Sequence, residues 1–238
     1  MSEVHEVAEG IYRIATFVPQ ADITFTQFLI TDEHPLLFHT GQRALFPETL
    51  DGIRKVLDPA RLRYISRSHL EADECGALNE FLQVAPQAQP VQGQVGVMVG
   101  VSDFSARPVI PMKDGDVLDL GRRKLRFLVT PHVPHAWDAI LLYEETTGTL
   151  FTSDLFTQSG KCSPLTQSDV VGRAAEALKK YPDYLPIGPH TARVFDRLEA
   201  LNPKVLAGHH SPTFTGNAVQ ALRDLRQALF DSVAEPLA

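Results

Sequence analysis

The chain has 238 residues, 44% of them hydrophobic, which is ordinary for a globular protein with a full core. Its 22 Lys and Arg against 29 Asp and Glu give a net charge of −7, with no basic run longer than pairs such as Arg122-Arg123 and Lys179-Lys180, so a nucleic-acid or anionic-membrane surface is not expected. The two cysteines, Cys75 and Cys162, are too few for a disulfide framework or a thiol-rich zinc site, and any metal must be held by His and carboxylate. No stretch approaches the roughly 20 apolar residues of a membrane span, and a soluble, cytoplasmic protein is the expectation.

In chain order, residues 10–15, 25–30 and 35–39 read as short strands separated by turn residues such as Asp32 and His34-Pro35, after a polar, acidic start. The pattern lengthens to a helical period through Leu45, Leu50, Ile53 and Val56, ending near Pro59. A strand at 63–66 leads into Ser66-Arg67-Ser68-His69-Leu70-Glu71-Ala72-Asp73-Glu74-Cys75-Gly76-Ala77, and a helix-like run follows. The signal is weak over 83–108, where Gly93, Gly96 and Gly100 interrupt it, and the stretch reads as a mixed connection. Runs at 117–120 and 125–129 form a hairpin, as do 139–144 and 149–152. Helices are expected over 168–180, 190–201 and 218–233, with one strand at 204–207 between the last two. Strands and helices alternate in two matched halves, which points to an α/β sandwich formed as a single domain over 1–238.

The stretch after the strand at 63–66 concentrates four acid/base or metal-binding side chains in six residues. His69, Glu71 and Asp73 alternate with Leu70 and Ala72, so an extended loop aims all three to one side and leaves Glu74 pointing elsewhere. Helix capping accounts for Asp73 or Glu74 but gives no reason for His69 and Glu71. Further candidates follow other strand ends: His132 and His135 in Thr130-Pro131-His132-Val133-Pro134-His135-Ala136-Trp137-Asp138, then Asp154, then the pair His209-His210. Four strand ends supplying His and carboxylate are how a buried site is assembled in α/β folds. His5 and His34 are expected at the surface, and His39 and His190 as supporting or packing residues. The set is rich in carboxylate, which suits iron or manganese better than zinc, and four carboxylates balance two divalent ions.

The order of strand-HxExD, His, Asp and His, with Thr40-Gly41 near the start, resembles the metallo-β-lactamase superfamily, a four-layer αββα sandwich. His69-x-Glu71-x-Asp73 is similar to its diiron branch, the flavodiiron and oxygen-binding diiron proteins, where Glu replaces the middle His of the hydrolases. The resemblance implies His69, Glu71 and His135 on one metal, Asp73 and His210 on the other, and Asp154 bridging. His132 is the alternative to His135, and His209 to His210. Glu74 stands where the family usually has His, so Glu74 ligates in its place or that position is open. The function implied is a non-haem diiron protein that binds or reduces dioxygen or nitric oxide, as a sensor or as an oxidoreductase fed by a separate electron-donor protein. Two iron ions are the expected cofactor, with manganese or zinc as alternatives. No flavin is expected on this chain, which lacks the length for the flavodoxin-like domain of flavodiiron enzymes. A homodimer is compatible with this reading, and a binuclear metal-dependent hydrolase is the rival one.

Overall fold

The computed structural model describes residues 2–234. One sheet is built in chain order from β1 (Glu3–Ala8), β2 (Ile11–Val18), β3 (Ile23–Ile30), β4 (Leu36–Phe38), β5 (Tyr64–Ser66), β6 (Gln89–Gly93) and β7 (Ile110–Met112). The other contains β8 (Val117–Asp119), β9 (Lys124–Val129), β10 (Ile140–Glu144), β11 (Thr149–Ser153), β12 (Leu165–Thr166), β13 (Val205–Gly208) and β14 (Thr213–Phe214), in the order β12-β14-β13-β11-β10-β9-β8.

Side chains alternate across a strand, and here both faces of the central strands are apolar. Phe28, Ile30, Leu36 and Phe38 face the other sheet and meet Phe127, Ile140, Leu142 and Phe151. Their neighbours Leu29 and Leu37 point outward, under Leu50 and Ile53 of helix Phe46–Arg54 and Phe81 and Leu82 of helix Leu78–Val84. On the second sheet Leu128, Leu141, Leu150 and Leu206 pack outward against helices Val171–Lys180, Thr191–Ala200 and Ala218–Ala234. Helices on both outer faces and two sheets between them make the four-layer αββα sandwich that the sequence resemblance implies. No helix among the described residues is long and apolar enough to cross a membrane.

The structure departs from the sequence reading in three places. The polar start contains β1, a half-exposed edge strand paired with β2, whose exposed His5 and Glu6 hide the alternation. The weak stretch 83–108 holds β6 and a helical run with a π-helical turn at Val97–Val101, its glycines lying within elements rather than between them. Strands β7, β12 and β14 have only two or three residues each, too few for periodicity to register.

Strand directions place the site. β9 and β11 are each antiparallel to β10, and β13 is parallel to β11, so β9, β11 and β13 end at the same edge of their sheet. On the facing sheet β4 and β5 are parallel neighbours, so His39 and the His69 loop emerge together. The centre of the inter-sheet core is Phe151, fully buried with ring centroids 5.3 Å from Phe28 and 5.4 Å from Phe38. Phe151→Ala should cost about 3–5 kcal/mol of folding free energy, measured as a lower urea midpoint at constant m-value. A loss under about 1 kcal/mol would show that the two sheets do not depend on this contact.

Candidate metal centre

Each strand end contributes one ligand loop. After β5 the backbone bends through Ser68, His69 and Leu70, is extended at Glu71 (φ −137°, ψ 162°) and then closes into the helical turn Ala72–Cys75. That turn corrects the expectation that Glu74 points away from its neighbours. Glu74 is fully buried, 3.7 Å from His69 Nε2, and Glu71, Asp73 and Glu74 bring ligand atoms within 4.8 Å of one another. The turn has no side-chain cap, so capping explains neither carboxylate. At the end of β13, Gly208 sits where space is tight, since a Cβ there would lie 2.2 Å from Ser211 Oγ. This close turn sets His209 and His210 side by side at the sheet edge.

His69, Glu71, His135 and Asp154 form one group, and Asp73, His209 and His210 another. His69 Nε2 lies 3.4 Å from Asp154 Oδ2 and 3.9 Å from Glu71 Oε1, and His135 Nε2 lies 3.3 Å and 3.2 Å from the same two oxygens. His210 Nε2 is 3.2 Å from Asp73 Oδ2 and 3.5 Å from Asp154 Oδ1. Asp154 therefore turns one oxygen to each group. His132 is exposed on the same loop as His135 and joins neither group, while His209 and His210 both reach Asp73. His5 and His34 are exposed, as expected; His190 is exposed too and bonds Arg193, so it supports nothing in the site.

The electrostatics are those of charges crowded out of water. Burial pushes the Glu74 carboxyl well up, with Asp154 and Asp73 adding to it. Hydrogen bonds from His135 and His69 draw Glu71 down to about 2. Burial raises Asp73, but His209 and His210 outweigh it and hold the carboxyl well below its ordinary value. Burial lowers His135 and His210, yet their carboxylate neighbours carry both upward, whereas burial and His210 keep His209 down.

Among the described residues, both oxygens of Glu74, both of Asp154 and Nε2 of His209 are buried without a hydrogen-bond partner. Five orphaned donor atoms in one cluster fit a metal centre, since buried polar groups are otherwise paired. Oxygen-rich donors with imidazole suit iron or manganese, and the acidic residues offset two divalent charges.

Sequence reasoning missed the residues that hold the ligands in place. Asp138 takes a 2.9 Å ion pair from Arg67 Nη1, with both side chains buried, and so fastens the His135 loop to the His69 loop. Only its position after His135-Ala136-Trp137 hinted at this, and Trp137 itself is exposed. Ser68 Oγ sits 2.9 Å from His69 Nδ1 and 2.8 Å from Ser153 Oγ, and the Tyr184 carbonyl lies 3.1 Å from His135 Nδ1. Tyr184 carries no local signal, because it approaches from a loop 49 residues away.

The αββα sandwich with two His and carboxylate groups at one sheet edge fits a metal-binding member of this fold class. The chain belongs to the family described as ODP family beta lactamase, whose model matches residues 23–211. Its relatives include flavo-diiron protein FprA2 of Clostridium acetobutylicum, 27% identical over 83% of this chain and 51% of the relative. Another is diflavin flavoprotein A 1 of Synechocystis sp., 28% identical over 87% of this chain and 37% of the relative. The chain thus spans about half or less of these proteins. Among solved structures, rubredoxin oxygen:oxidoreductase from Desulfovibrio gigas superposes with a TM-score of 0.84 at 22% identity, covering 94% of this chain and 61% of that one. The likeness to the metallo-β-lactamase superfamily and its flavodiiron branch, inferred from the HxExD stretch, is borne out.

The Glu74 environment generates a prediction with opposite signs. In metal-free protein Glu74→Gln removes a carboxyl that burial and two carboxylate neighbours disfavour, and the melting temperature at pH 7 should rise by a few degrees, on the order of 1 kcal/mol. In metal-loaded protein the same change removes an anionic donor and should lower metal content. Calorimetry with and without metal checks both, and equal shifts in the two states would refute the assignment.

Proposed function

We propose that the chain is a non-haem diiron protein that binds or reduces dioxygen or nitric oxide, with electrons supplied by a separate donor protein. The observation that carries this reading is Asp154, buried between two His and carboxylate groups with one unpartnered oxygen turned to each. In this reading His69, Glu71 and His135 hold one iron, Asp73 and His210 the other, Asp154 bridges, and Glu74 closes the second position. Carboxylate-rich ligation supports iron over zinc. So do relatives named flavo-diiron protein and rubredoxin-oxygen oxidoreductase, the latter naming rubredoxin and oxygen.

Bound iron would supply the one-electron and dioxygen chemistry, and the protein supplies position and charge. The imidazoles are fixed through Nδ1, so that each Nε2 faces the centre, where those of His69 and His135 lie 2.8 Å apart, and the carboxylates would keep a buried reduced centre near neutrality. The sandwich core behind the centre excludes water, while Glu71, 47% exposed, and the partly exposed His135 mark its open side. A small uncharged ligand reaches the centre from there without disturbing the buried face.

Anaerobic preparation with ferrous ion, followed by metal analysis and visible spectroscopy on admission of oxygen or nitric oxide, tests the proposal. Two irons per chain and a ligand-dependent spectrum are expected. A colourless protein holding zinc and cleaving an ester would favour a metal-dependent hydrolase instead. Asp154→Ala should lower iron to one or none per chain while the far-ultraviolet circular dichroism stays the same; two retained irons with an unchanged spectrum would remove the bridge. His135→Ala should lose iron and His132→Ala should keep it, because only His135 turns toward the carboxylates. The reverse result would exchange their roles.

A further inference from the structure

Four imidazoles converge on the centre, and all four are held in the same way. His69 Nδ1 is 2.9 Å from Ser68 Oγ, His135 Nδ1 is 3.1 Å from the Tyr184 carbonyl, and His210 Nδ1 is 2.9 Å from the Thr24 carbonyl. In the fourth, His209 Nδ1 lies 2.5 Å from Nδ1 of His39. Every Nε2 then faces carboxylate: that of His209 is 3.5 Å from Asp73 Oδ2, fully buried and without a hydrogen-bond partner. A histidine that merely fills a core satisfies both ring nitrogens, because an orphaned polar atom costs about 1–3 kcal/mol. An imidazole anchored at Nδ1 and open at Nε2 toward carboxylates has instead the arrangement of a metal ligand with its supporting partner.

We propose that His209 is a ligand of the second metal position, beside Asp73 and His210, and that His39 is the residue that positions it. The assignment rests on the diiron reading and adds a donor to its second position. His39 also lies within reach of Glu74 and His209 as a group of potential ligands, but both its ring nitrogens are engaged, since its Nδ1 faces His209 and its Nε2 lies 3.0 Å from Ser68 Oγ. The ring is also stacked on Phe38 with centroids 4.2 Å apart, at a residue held at φ 65°. Such a left-handed backbone is uncommon outside glycine and is kept where surroundings impose it.

Ligation through Nε2 fixes the protons. His209 carries its proton on Nδ1 and donates it to His39 Nδ1, so His39 carries its own on Nε2 and donates it to Ser68 Oγ. Ser68 Oγ is also the anchor of His69, so His39 and Ser68 join the ligand loops of the two metal positions through three hydrogen bonds.

The test is anaerobic titration of the metal-free full chain with ferrous ion, together with 15N NMR of the histidine rings in zinc-loaded wild type. Wild type should take two ions, and His209→Ala should weaken the second step by at least about 10–100-fold while the first stays within a few-fold. His39→Phe, which keeps an aromatic ring but has no acceptor, should weaken the second step by about tenfold, and His39→Gln should recover part of it. In loaded wild type the His209 proton should be on Nδ1, a readout that needs no variant and is independent of any folding defect. Unchanged binding in His209→Ala, or a proton on His209 Nε2 in the loaded protein, overturns the assignment. Failure of wild type to bind any ion overturns the diiron reading, and this assignment with it.

Discussion

Everything near the sheet edge depends on one constraint: several carboxylates and imidazoles lie where water cannot solvate them. Isolated charges in such a place cost far more than a small domain can spare. Glu74, Asp154 and His69 are at most 1% exposed, and the side-chain oxygens of Glu74 and Asp154 have no hydrogen-bond partner among the described residues. Such a cluster fits a site for opposite charge, which would offset the cost of burying it. The hydrophobic layers behind, centred on Phe151, Phe28 and Phe38, hold the strand ends that present the donors.

That rigidity is distributed over two sheets, which gives the surrounding polar contacts their purpose. His69, Asp73 and Glu74 come from one sheet, and His135, Asp154, His209 and His210 from the other. The Arg67–Asp138 pair, the Ile140 amide donating to the Ser68 carbonyl at 2.9 Å, and the Ser68–Ser153 contact tie them across the gap. A buried ion pair such as Arg67–Asp138 adds little net stability, but removing one partner is costly, so it acts as a latch that fixes relative position. The His39–His209 contact is a further link between the two sheets, and its geometry distinguishes the second metal position from the first.

Similarity to the relatives carries the fold further than it carries the chemistry. At 22% identity the Desulfovibrio gigas structure establishes the fold, and the chemistry named there becomes a proposal for this chain only through the donors that this chain presents. Those donors are specific: Glu rather than His at position 71, and Glu again at 74. Both favour a hard ion over a soft one.

Much of the fold and the site is legible in the linear order of residues. The apolar runs of β3, β4, β9, β10 and β11 are strong because both faces are buried, and the ligand types recur at their ends in an order that singles out one branch of one fold. Local signals could not reach further. The edge strand β1 and the short β7, β12 and β14 exist because neighbours pair with them, so their own sequences are ambiguous. An extended loop over 69–74 would misdirect Glu74, since alternation assumes a backbone that the turn at Ala72–Cys75 does not adopt. His39 and Tyr184 lie 170 and 49 residues from the histidines they hold, a separation that no motif spans. The sequence by itself determined which side chains are available and the fold that gathers them, because periodicity and residue type are local properties. Which nitrogen faces inward, what anchors each of two adjacent histidines, and where a buried carboxylate points were decided only by the tertiary structure, because those depend on contacts between strands that are neighbours in space and distant along the chain.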